Sequence, residues 1–159
     1  MNASALHRSG QVTVSRELDK IPLADWTVTA AAGDWSVKDV VSHLASFQWV
    51  LVDVVRELDG SRETPTLDRL LASEGQFDLV EVQRRRSWTA ESVWDDYARA
   101  CAESQRLAAL VATEKLREVG TIGWYGPEYS VDDLIVYMIY GHAREHAVHL
   151  AQAAERRSS

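Results

Sequence analysis

Residues 36–58 read SVKDVVSHLASFQWVLVDVVREL, the most regular apolar pattern in the chain. Ser36 stands three residues before Asp39, an S-x-x-D start resembling a capping box with Asp in place of Glu. Val40, His43, Phe47, Val50 and Val54 then recur at three- and four-residue steps. Val37, Val41, Leu44, Leu51 and Leu58 widen the stripe to nearly half the circumference. A helix this apolar packs inside a bundle rather than on an open surface. Asp59-Gly60 stops it.

The same period appears three more times along the chain. Val14, Leu18 and Ile21 begin a helical pattern predicted to run from about residue 12 to 31, kinked or broken at Pro22. Thr89 precedes a helix whose buried side is Val93, Tyr97, Cys101, Leu107, Leu110 and Val111, ending near Glu114. Ser130 to Asp133 repeats the S-x-x-D start, and a last helix continues to about Ala154, with a frayed tail beyond. Shorter helical pieces are expected at Leu67–Ala72 and Phe77–Trp88. The segment 121–129, TIGWYGPEY, is irregular, with turn residues Gly123, Gly126 and Pro127 around Trp124 and Tyr125. No strand alternation persists and no internal repeat is visible. Four main helices in 159 residues imply an all-α four-helix bundle, as a single domain over 1–159 with its core at about 12–154.

The whole-chain arithmetic narrows function. The net charge is −7, which excludes a general nucleic-acid binder. The run Arg84, Arg85, Arg86 reads as a solvated helix face. The polar start carries no secretion signal and no apolar run approaches a membrane span, so a cytoplasmic protein with no membrane partner is expected. The single cysteine, Cys101, excludes an intrachain disulfide and a thiolate cage. At a core-like helical position it reads as a buried thiol.

Five histidines remain. His7 falls in an expected loose terminus. His142, His146 and His149 share one face of the last helix with Ile135 and Met138. His142 and His149 are separated by ~10 Å of helical rise, too far for one ion. An ion can take His142 with His146, or His146 with His149, and needs a further ligand from another helix. His43, on the apolar stripe of the second helix, is the natural donor. Neutral imidazole is a common ligand, and three such ligands leave an open position for chemistry. A buried, hydrogen-bonded core role is the competing reading for each histidine taken alone.

Three features together resemble the DinB-like family of bacterial four-helix proteins. Gly33-Asp-Trp-Ser-Val-Lys-Asp-Val-Val-Ser-His43-Leu is similar to the family's W-S-x-x-(D/E)-x-(L/V)-x-H-L segment. Gly141-His142-Ala-Arg-Glu-His146-Ala is similar to its H-x-x-x-H on the last helix. The spacing between them leaves room for the intervening helix. The resemblance implies up-down-down-up connectivity and a divalent metal, zinc or nickel, on His43, His142 and His146. It places His149 outside the motif, as a core, rim or supporting residue. It also implies a metal-dependent enzyme, a hydrolase or a transferase using a low-molecular-weight thiol, acting on a small-molecule substrate. A non-enzymatic binding or sequestration protein, and a structural protein with buried histidines, are the alternatives. A homodimer is expected. Glu145 reads as a solvated charge or a carboxylate orienting an imidazole, and Arg144 as a surface residue. Trp124 and Tyr125 line a pocket mouth or plug the bundle end. Trp35, Trp49 and Trp94 read as core.

Overall fold

The structure, a computed structural model, describes residues 2–159. It is mostly helical. Helix α1 spans Ala3–Leu18, and Asn2 caps it by accepting from the Ala5 N–H at 2.9 Å. A 3₁₀ turn at Leu23–Asp25 and a small hairpin follow, β1 (Ala30–Ala32) against β2 (Trp35–Ser36), antiparallel, with Gly33 at φ +55 in the turn. Then come α2 (Val37–Leu58), α3 (Pro65–Ala72), α4 (Phe77–Arg84), α5 (Ala90–Leu110), α6 (Thr113–Leu116) and α7 (Val131–Leu134). Ile135–Tyr140 winds as a π-helix and leads directly into α8 (Gly141–Ser158).

Helices α1, α2, α5 and α8 close on one core. Val14 and Leu18, Val37, Val40 and Val41, Val93 and Tyr97, and Ala147 and Leu150 belong to the same buried cluster. The most extensive contacts are α2 on α5 and α1 on α8. Both S-x-x-D starts are full capping boxes: Ser36 with Asp39, and Ser130 with Asp133. Gly10 lets α1 approach α8 closely. A Cβ there would lie 3.0 Å from the Ala143 side chain and 3.1 Å from Tyr140. Helix α8 is therefore clamped at the turn that carries His142.

Several expectations need correction. The helix expected over 12–31 ends at Leu18 and instead begins at Ala3. Pro22 does not kink a continuous helix; it follows the helix end, and the chain turns into the hairpin, a pair of short strands not foreseen. His7 is not in a loose terminus but buried in α1. Its Nε2 lies 2.8 Å from Gln48 Oε1, and Ser104 Oγ donates to the same oxygen at 2.9 Å. The third long helix stops at Leu110, with α6 after a break, and the last runs beyond Ala154 to Ser158. Cys101 is fully buried and its thiol is pushed up to about 12 by burial, as suits an inert core residue. Among the described residues no helix is long and apolar enough to cross a membrane.

Candidate metal centre

The hairpin and the last helix converge on α2 at His43. β2 runs straight into the capping box, so Trp35 is held beside the first turns of α2. Its ring centroid lies 5.1 Å from that of His43. Phe47, one turn further on, stands edge-on to His43 at 5.1 Å and 4.5 Å from the His142 ring. Phe77, at the start of α4, packs on Phe47. These aromatics form an apolar wall around the imidazoles.

His43, His142 and His146 come together. Their ring centroids are 5.1 Å apart for His43 and His142, 4.8 Å for His43 and His146, and 6.1 Å for His142 and His146. Rings bound through one nitrogen each to a tetrahedral ion, with bonds of ~2.0–2.1 Å, place their centroids ~5 Å apart. Two of the three separations match this spacing and the third is wider. Among the described residues no group of three or more His, Cys, Asp or Glu is already drawn into metal-holding geometry. The three rings are neighbours without forming a closed ligand set.

Two ring nitrogens support that reading. The Nδ1 atoms of His43 and His142 are buried without a hydrogen-bond partner. The Met138 main chain lies close enough to His142 to favour its protonated form, but no well-formed hydrogen bond reaches Nδ1. Leaving a buried polar nitrogen unpaired costs ~1–3 kcal/mol, and native proteins rarely accept it without a partner such as an ordered water or an ion. The donor set fits a divalent metal.

Electrostatics point the same way. Burial, with the neighbouring His146 and His142, pushes His43 down to about 3. Burial pushes His146 down to about 4, against the pull of Glu145. His142 is lowered by burial, opposed by Asp78 and Glu145. Neutral imidazoles need release no proton to take a metal near pH 7. His7, His43, His142 and His146 are all lowered, so below pH ~6.5 the unfolded chain takes up protons that the folded chain refuses. Stability of the metal-free protein therefore falls as pH drops from 6.5 towards 4, by up to ~1.4 kcal/mol per pH unit for each group titrating. Urea midpoints at pH 7.5, 6 and 5 check it; a constant midpoint contradicts it.

His149 does not join the three. Its Nδ1 lies 3.2 Å from Nδ1 of His146, so one ring donates to the other. That contact engages one nitrogen of His146 and leaves Nε2 outside it. A supporting hydrogen bond of this kind fixes the tautomer of a ligating histidine. Glu145 and Arg144 are exposed. Trp35, Trp49 and Trp94 are half-buried rather than core. Trp124 and Tyr125 pack against the second apolar cluster, and the Trp124 indole N–H is buried without an acceptor. A surface hollow of about 640 Å³ near Glu17, Lys20 and Ser158 lies towards the other end of α8 and gathers no comparable chemistry.

One residue of the site was missed by sequence reading. Asp78, in the first turn of α4, places Oδ1 3.4 Å from Nδ1 of His43. Its side chain is 55% exposed, whereas that of His43 is almost sealed. Burial raises the Asp78 pKa, with His142 opposing. Helix α4 is anchored one turn later by Glu81, wholly buried among Arg69 (2.6 Å), Arg85 (2.8 Å) and Arg84 (3.1 Å). Burial alone would raise Glu81, but its bonds to Arg69 and Arg85 hold it below the usual carboxylate range. Arg85 continues to Asp96 at 3.0 Å, which accepts from Trp49 Nε1.

A helical domain with inward-facing histidines on its second and last long helices fits the DinB/YfiT-like class. Within that class the chain belongs to the family described as mycothiol maleylpyruvate isomerase N-terminal domain, whose model matches residues 8–154. No curated protein and no solved structure matches the chain.

Proposed function

We propose that the protein is a metal-dependent enzyme that uses a low-molecular-weight thiol of the mycothiol type to transform a small molecule. The observation that carries this is the meeting of His43, His142 and His146 beside Trp35 and Phe47, with two unpaired Nδ1 atoms. The family's name supplies the thiol. His43, His142 and His146 would hold a zinc or nickel ion, which when bound lowers the pKa of a thiol or water and polarises a carbonyl.

The chain's own groups set up that chemistry. The three imidazoles are neutral at pH 7 and so present lone pairs rather than charge. The His149 contact fixes the ring of His146. Trp35 and Phe47 keep water from the inner side, which strengthens electrostatic interactions at the centre. Substrate reaches it from the side of α4, past Asp78.

The thiol assignment is tested by titrating the cobalt-loaded protein with mycothiol and recording the near-ultraviolet spectrum. A saturable thiolate-to-cobalt charge-transfer band is expected, together with thiol-dependent turnover of an electrophilic or isomerisable small molecule. Absence of the band, with no thiol-dependent turnover, sets the thiol aside and favours a hydrolase on the same centre.

A further inference from the structure

Among the described residues, Asp78 is the one carboxylate within ion-pair distance of these histidines, and it lies outside the segments that carry the DinB-like resemblance. Its residue type has a simple explanation. An acid in the first turn of α4 is favoured by the helix dipole. That does not explain its placement, with Oδ1 3.4 Å from Nδ1 of His43 and close enough to His142 for mutual electrostatic influence.

Two roles suit a carboxylate beside a ligating histidine. It can accept a hydrogen bond from the ring and so orient it. Or it can share the ion. The geometry separates them. His43 Nδ1 is within hydrogen-bonding distance of Asp78, yet it makes no hydrogen bond and is left unpaired. The ring N–H axis therefore misses the oxygen. Two atoms that ligate one tetrahedral ion through bonds of ~2.0–2.1 Å stand ~3.3 Å apart without pointing at each other. The observed pair has this spacing and this misalignment.

The position is also built. Glu81, one helical turn along, is locked to three arginines, and its Arg85 partner ties α4 to α5 through Asp96. Asp78 thus stands on an anchored helix, although its own side chain is half-exposed.

We propose that Asp78 is a fourth, anionic donor to the metal held by His43, His142 and His146, making the centre three imidazoles and one carboxylate at its mouth. This rests on the functional reading above. A carboxylate there offsets one positive charge of the ion. It also gives the centre one ligand that is reachable from solvent, while the three imidazoles lie deeper.

The test uses metal-free full-length protein, wild type, Asp78→Ala and Asp78→Asn. Zinc affinity is measured by competition with a chromogenic chelator, and the cobalt(II) visible spectrum is recorded for each. Asp78→Ala is expected to weaken zinc binding by more than about a hundredfold, beyond the roughly 10–100-fold typical of outer partners, and to shift the cobalt bands. Asp78→Asn, with a neutral amide oxygen, should fall between. Thermal unfolding without metal should stay near wild type, because the side chain is half-exposed. Unchanged affinity with superimposable spectra overturns the proposal and leaves Asp78 a first-turn acid. Weaker binding with superimposable spectra also overturns it, in favour of an orienting role. A wild type that takes up neither ion overturns the functional reading itself.

Discussion

Glu81→Ala should lower stability by roughly 3–5 kcal/mol, the range seen when one partner of a buried ion pair is removed. The reason is Arg85. It is 2% exposed, and its guanidinium is held by Glu81 at 2.8 Å and Asp96 at 3.0 Å. Without Glu81 that buried charge keeps a single carboxylate. Arg69 Nε also loses its 2.6 Å partner. For a domain of this size the loss corresponds to a fall in Tm on the order of 10 °C. Arg84→Ala is the control. Arg84 is a 45% exposed partner of the same carboxylate, and its removal should cost less than about 1 kcal/mol. Denaturant unfolding of both variants measures the contrast. Equal, small losses would mean that Glu81 is not the anchor of α4.

His43→Leu should have opposite effects on two readouts. In the metal-free protein it replaces a buried ring bearing an unpaired nitrogen with an apolar side chain of similar size. Stability should hold or rise by about 1 kcal/mol, because an unsatisfied buried group is removed. Metal affinity should fall by more than about a hundredfold, since one of three imidazole ligands is gone. A histidine that served only the core would behave differently: the variant would bind metal as well as wild type does. Chemical denaturation of the apo protein and a chelator competition, run on the same preparation, give both readouts.

Much of this was legible in the sequence because both helices that carry histidines announce their starts. Ser36 and Ser130 each precede an Asp at the third position, and both boxes form. The apolar stripe after Ser36 is unbroken enough to place His43 inward. Helix α1 was harder. Its buried face is Ala3, His7, Gly10, Val14 and Leu18, correctly spaced but half small or polar, so an apolar pattern begins only at Val14. Asn2 as an N-cap was the available signal. The hairpin strands are too short for alternation to register. The π-helical turn before His142 depends on tertiary packing that no period reveals.

Asp78 was illegible for a different reason. As a first-turn acid on a short amphipathic helix it looks like any solvated N-terminal carboxylate. Only the folding of α4 against α2 brings it to His43. His149 was visible as part of the stripe, and helical rise alone separated it from His142. Its contact with His146 needed coordinates.

If His43, His142 and His146 hold a divalent metal, the ion should be found with the protein itself. Elemental analysis of the full chain purified without a histidine tag, followed by titration with zinc and nickel, decides this. About one equivalent of a divalent transition metal is expected, present on isolation or taken up on titration, and absent from His43→Leu. Less than about a tenth of an equivalent on isolation, with no uptake on titration, would contradict it.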